Sequence, residues 1–138
     1  MTRYLLDTNI VSELRKRKPH GAVVTWFSGL LSEQIFISAV TVGELQAGAE
    51  RTRLQDRGKA SEIEQWINEL ETALQVIAMD STCFREWGRI TYRKSGHLLE
   101  DAMIAATARV HGLTVATRNE RDFRQLGVVV LNPFQNRR

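Results

Sequence analysis

A single cysteine, Cys83, excludes an internal disulfide and cannot by itself build a zinc site, so the chain reads as a protein of a reducing compartment. Only two prolines occur, Pro19 and Pro133, and there is no repeat, low-complexity tract or linker. No apolar run approaches the roughly 20 residues that a membrane-spanning helix needs. At the N-terminus, Asp7 interrupts the chain before the apolar segment of a signal peptide can develop. The expectation is a cytoplasmic protein with no membrane partner. Neither G-x-G-x-x-G nor a Walker A pattern is present, so nucleotide cofactors lack their phosphate-binding signature. His20, His97 and His111 form no H-x-x-x-H pair, and each reads as structural or solvated.

What is present suits one folded domain spanning residues 1–138. Of 138 residues, 43% are hydrophobic and 25% charged, an ordinary globular balance. The formal net charge is +3 and the pI about 9.4, which favours a polyanionic partner only weakly. The basic residues gather in Arg15-Lys16-Arg17-Lys18, in Arg51, Arg53, Arg57 and Lys59, in Arg118, Arg121 and Arg124, and in Arg137-Arg138. Any one of these groups by itself is better read as a solvated helix face.

Short apolar runs alternate with amphipathic stretches. Tyr4-Leu5-Leu6, Ile35-Phe36-Ile37, Val76-Ile77-Ala78, Leu113 to Ala116 and Val128 to Leu131 predict five strands. Between them lie helical patterns: a brief helix after Asp7, one over Ala22 to Leu31, and one from Thr41 to about Asp56. After a break at Gly58 comes the clearest amphipathic helix, carrying Ile63, Trp66, Ile67, Leu70 and Leu74. Then follow a helix over Phe84 to Ile90 that stops near Gly96, an alanine-rich helix from Asp101 to a C-cap at Gly112, and a short helix over Arg121 to Gln125. The pattern predicts an α/β fold, a three-layer α/β/α sandwich around a short, mainly parallel sheet of about five strands. Ligands then belong beyond the carboxyl ends of the strands.

Several oxygen-bearing side chains fall at that edge. Asp7 ends the first strand and suits either a helix N-cap or a ligand. Glu44 follows the second strand, and Thr41-x-x-Glu44 also matches a capping box. Asp101 opens the alanine-rich helix, whose small side chains permit a close approach to the sheet; Glu100, one residue earlier, points elsewhere, so only one of the two faces the same pocket. Thr117 and Asn119 lie just past the fourth strand, and Asp122 follows three residues on. Carboxylates crowded together raise one another's pKa, and a hard cation such as Mg²⁺ or Mn²⁺ relieves the repulsion. Phosphodiester hydrolysis gains from such a cation.

Five segments in order resemble the PIN-domain family, and more narrowly the VapC/FitB-type toxins of bacterial toxin–antitoxin pairs. They are Leu5-Leu6-Asp7-Thr8-Asn9, Ile37 to Leu45 (ISAVTVGEL), Asp101 to Ala108 (DAMIAATA), Val115-Ala116-Thr117-Arg118-Asn119 and Leu131-Asn132-Pro133-Phe134. The resemblance implies a Mg²⁺- or Mn²⁺-dependent endoribonuclease with a PIN-like fold. Asp7, Glu44 and Asp101 would match its acidic residues, with Thr8 and Thr117 as supporting hydroxyls. It also implies a homodimer, a cognate antitoxin, structured RNA such as tRNA or rRNA as substrate, and operator DNA reached only through the antitoxin. Many relatives carry aspartate where this chain has Asn119, so either Asn119 or Asp122 completes the site. Arg15, Lys16 and Arg118 are candidates for contact with the RNA backbone. A PIN fold that binds without turnover, or a PIN nuclease outside any toxin pair, is the alternative.

Overall fold

Alternation along two neighbouring strands sets the layers of the fold. In the computed structural model, which describes residues 1–93 and 98–135, β1 (Tyr4–Leu6) lies beside β4 (Thr114–Ala116). Leu5 and Val115 enter one core, while Leu6 and Ala116 enter the other. Successive strand residues face opposite sides, so two adjacent leucines can feed two cores. The first core is closed by α5 (Ser81–Thr91), α6 (Leu99–His111) and α7 (Glu120–Gln125) through Ile90, Ala105 and Phe123. The second is closed by α1 (Thr8–Arg15) and α2 (Gly21–Ser28) through Ile10, Val11 and Val23, with α3 (Ala39–Arg53) and α4 (Arg57–Ala73) adding Leu45 and Trp66.

Among the described residues five strands form one sheet in the order β3-β2-β1-β4-β5, where β2 is Ile35–Ser38, β3 Gln75–Ile77 and β5 Val130–Leu131. Each neighbouring pair is parallel, so the sheet is wholly rather than mainly parallel. The chain builds outward from β1 to β2 and β3, then returns to the other side of β1 for β4 and β5. The crevice between the carboxyl ends of β1 and β4 is therefore the point where strand order reverses, the usual ligand position in open α/β sheets.

The helices begin where side chains satisfy their first free amides. Asp7 caps α1, as one of its two sequence readings anticipates. The helix expected from Thr41 instead starts at Ala39, because the Ser38 hydroxyl accepts the Val40 N–H at 3.0 Å. This removes the Thr41–Glu44 capping box: Thr41 lies inside α3, and Glu44 is released from a capping role. Gly58 does not break the chain either. Asp56 accepts the Lys59 N–H at 2.9 Å and caps α4, which places Gly58 within the first turn. The remaining boundaries shift by one to three residues, with α2 ending at Ser28 rather than Leu31, α3 at Arg53 rather than Asp56 and α5 starting at Ser81 rather than Phe84, and β5 starts at Val130 rather than Val128. Gly96, His97 and the Arg137-Arg138 pair lie outside the described residues.

The alanines of α6 let it sit close against the sheet: Ala102, Ala105 and Ala106 are each fully buried. Gly112 ends this helix at φ 66°, a left-handed conformation that disfavours any Cβ. A Cβ there would meet only the Arg3 guanidinium at 3.9 Å, so replacement brings backbone strain without a clash. Gly112→Ala should lower unfolding free energy by about 1 kcal/mol in urea titration; an unchanged midpoint would refute the strain.

Candidate active site

Asp7 is one of two buried carboxylates among the described residues and is 4% exposed. It leaves β1 at the switch point and is held from both sides. Its Oδ1 accepts the Thr8 N–H at 2.8 Å, and its Oδ2 accepts the Thr117 hydroxyl at 2.8 Å. The first bond is local and belongs to the cap. The second spans the β1–β4 crevice. Thr117 is itself fixed, because its Oγ1 accepts the Asn119 N–H at 2.9 Å and its own N–H donates to Leu131.

Glu44 arrives from α3. Its Oε1 accepts the Thr8 hydroxyl at 2.8 Å, and that hydroxyl also lies 3.0 Å from Thr41 Oγ1. Thr8 thus touches two acids, Asp7 through its backbone and Glu44 through its side chain. Asp101 arrives from the first turn of α6. Asp7, Glu44, Asp101 and Asn119 line one cavity of about 440 Å³, together with Thr8, Asn9, Ser12, Glu13, Lys16 and Arg118. The Asn119 carboxamide makes no capping bond to α7, although its residue is the N-cap. Asp122 does not line this cavity. It lies in a neighbouring one of about 470 Å³ with Arg121 and Arg124, near enough to Asp101 to repel its charge.

The electrostatics are those of acids without counter-ions. Burial pushes the Asp7 carboxyl above its ordinary range, against the two hydrogen bonds that lower it. Glu44 rises to about 7, chiefly through desolvation and then through a hydrogen bond and charge repulsion from Glu100, with Asp7 adding to it. Asp101 rises to about 6, again first by desolvation, then by the charges of Asp7, Asp122 and Glu100. Among the described residues none of these three acids forms an ion pair. Nor do three acidic, histidine or cysteine side chains among those residues close into a ready-made cation cage.

Three placements depart from the sequence reading. Glu100 does not line the cavity, as expected, yet its carboxyl meets that of Glu44 from the side. Neighbours on one helix can reach different partners when two other elements flank the helix end. Arg15 is turned away from the cavity: its guanidinium lies 5.7 Å from the Trp66 ring centroid, whereas Lys16 and Arg118 do line it. Glu13 was missed altogether. Its only signal is an acid beside the buried Ile10 and Val11, three residues before Lys16. His20 caps α2 through Nδ1, and Cys83 is buried, with burial raising its thiol pKa. Among the described residues no helix is long and apolar enough to cross a membrane.

Comparison with known proteins gives a consistent result. The PIN domain family model matches residues 4–129. The chain is 36% identical to the toxin FitB of Neisseria gonorrhoeae, over 96% of this chain and 99% of that one. It is 33% identical to the tRNA(fMet)-specific endonuclease VapC of Shigella flexneri, over 92% and 94% respectively. The crystal structure of FitAcB from Neisseria gonorrhoeae superposes with a TM-score of 0.85 at 31% identity, covering 96% of this chain and 99% of that one.

The raised acids also bear on stability. Glu44 and Asp101 bind protons more tightly in the folded chain than in the unfolded one, so stability falls as pH rises through their window. Glu13 and Asp80, which are held low, act below that window. In EDTA the urea midpoint should drop between about pH 5 and about pH 7.5, and Glu44→Gln should flatten the drop. A midpoint that climbs through this range would contradict the acidic crowding.

Proposed function

The chain belongs to the PIN-domain family, and from that premise we propose that it is a divalent-metal-dependent endoribonuclease acting as the toxin of a toxin–antitoxin pair. One observation carries the chemistry: a buried carboxylate, Asp7, has both oxygens oriented by donors, forms no ion pair among the described residues, and shares a cavity with Glu44 and Asp101.

The donor set fits a hard cation. It consists of carboxylate, carboxamide and hydroxyl oxygens, the ligands Mg²⁺ and Mn²⁺ prefer, and its open arrangement suits ions that retain several waters. Asp7, Glu44 and Asp101 would hold the ion, and Asn119 offers a neutral oxygen beside them. Asp122 would influence the site through Asp101, since the two sit in adjoining cavities. When bound, the cation supplies charge neutralisation at the scissile phosphate and acidifies water. Thr117 and the Thr8 N–H keep the Asp7 oxygens aimed, as outer partners of metal ligands do. The Thr8 hydroxyl orients Glu44 in the same way. Lys16 and Arg118, on the cavity wall, bind the phosphates of the substrate strand.

RNA is the substrate this reading requires. A relative at 33% identity is named as a tRNA endonuclease, so tRNA is the first class to test. A cognate antitoxin and a second copy of this chain are the protein partners, operator DNA is reached through the antitoxin, and the site of action is the cytoplasm.

Asp7→Asn should lower kcat/KM on a tRNA pool by at least about a hundredfold and abolish growth arrest on expression. Full activity in a preparation free of contaminating nuclease would remove the assignment. Thr117→Val should weaken Mn²⁺ binding by about 10- to 100-fold in calorimetry while the fold is retained. Because Glu44 and Asp101 are partly protonated near neutrality, Mn²⁺ binding should also release protons, seen as an enthalpy that depends on the buffer. A buffer-independent enthalpy would place the ion elsewhere.

A further inference from the structure

Glu13 is the second buried carboxylate, 5% exposed, and unlike Asp7 it is surrounded by positive charge. It stands in the last turns of α1, and its two oxygens divide their work. Oε2 accepts the backbone N–H of His20 at 2.9 Å and so ties down the loop into α2. Oε1 receives the Lys16 ammonium at 2.9 Å, and Arg118 Nη2 lies 3.6 Å away. Lys16 comes from the end of α1 and Arg118 from the loop after β4. Both side chains are more than half exposed.

Arg118 is steadied a second time. Its guanidinium carbon lies 3.8 Å from the centroid of the Phe134 ring, and the edge of that ring meets His20 at 5.2 Å. The Phe134 N–H donates to Asn132 Oδ1 at 3.0 Å, which fixes the ring's position on the chain. An exposed ion pair adds little to stability, because solvent screens it and ordering two long side chains costs entropy. What this arrangement does is restrict where two cations can go. Glu13, Lys16 and Arg118 all line the cavity that holds Asp7, Glu44 and Asp101.

We propose that Glu13 is a positioning residue whose Oε1 gathers Lys16 and Arg118 into a phosphate clamp at the mouth of the acidic cavity. The clamp takes a backbone phosphate of the RNA strand other than the one held at Asp7. Two cations outnumber one carboxylate, so the cluster still attracts an anion. Glu13 spaces the two cations, and the Phe134 ring, 3.8 Å from the guanidinium carbon, steadies an arginine head that can engage phosphate through two bonds. The acids repel the substrate's phosphates, and a fixed pair of cations beside them sets the strand's register.

The clamp rests on the ribonuclease reading, so it is tested first without turnover. Glu13→Gln keeps the size of the side chain and an oxygen for the His20 N–H while removing the charge. Binding of a fluorescein-labelled single-stranded RNA in EDTA, read by anisotropy, should weaken about five- to tenfold although the variant is one charge more positive. Charge alone predicts tighter binding, so an unchanged or lower Kd overturns the clamp. With Mn²⁺ and the same RNA, KM should rise by a similar factor while kcat stays within about twofold; a fall in kcat at constant KM overturns it too. In an Arg118→Ala background Glu13→Gln should add little, and full additivity would show that Glu13 acts elsewhere. Should Glu13→Gln fail to fold, Phe134→Leu frees the same guanidinium without touching the buried acid, and it must raise KM for the clamp to stand. A wild-type chain that binds RNA with this dependence but does not cleave it keeps the clamp and removes the nuclease.

Discussion

Everything at the functional edge depends on one hydrogen bond between residues 110 positions apart, from the Thr117 hydroxyl to Asp7 Oδ2. It forms because β1 and β4 are neighbours, with Leu6 opposite Ala116 and the Asp7 N–H bonded to the Ala116 carbonyl. Parallel pairing brings two carboxyl ends to the same edge, so the residues after each strand meet across the crevice. Without that adjacency Asp7 is only the cap of an eight-residue helix. With it, Asp7 becomes a carboxylate whose direction is set by two donors from opposite walls. The buried group costs desolvation, and the two donors offset part of that cost.

The charges around this point are sorted rather than mixed. Asp7, Glu44 and Asp101 converge from β1, α3 and α6 and find no cation among the described residues; burial raises all three, and charge repulsion adds to it at Glu44 and Asp101. Glu13, on the same cavity wall, has Lys16 and Arg118 beside it and is held low. Two acids equally hidden from solvent therefore behave oppositely: desolvation dominates at Asp7, whereas the Lys16 ammonium and the His20 N–H dominate at Glu13.

Much of the architecture was legible. Apolar runs of three or four residues separated by helical periodicity specify a parallel sheet covered on both faces, because only buried strands tolerate unbroken apolar sequence. That frame put Asp7 at the end of the first strand, while Glu44 and Asp101 stood on helices, and the family resemblance joined the three into one expected site. The errors were local and have local causes. Ser38, three residues before the expected helix start, had a free hydroxyl and took the cap from Thr41. Asp56 did the same ahead of Gly58. Short polar side chains compete for helix ends within a residue or two, and sequence spacing does not rank the competitors.

The order of elements and the two-sided sheet were set by the sequence itself, through hydrophobic periodicity, and the resemblance of five segments to a family is what singled out the acids. What each charged residue faces was decided only in three dimensions. Glu100 was assigned away from the pocket by helical geometry, yet α3 brings Glu44 to it. Arg15 and Lys16 are adjacent in the chain, but one turns to Trp66 and the other to Glu13. Glu13 carried no motif, and its meaning comes from Arg118 and His20, which the fold delivers from β4 and α2. Periodicity is a property of one segment, whereas a charge takes its pKa and its orientation from whichever segments pack against it.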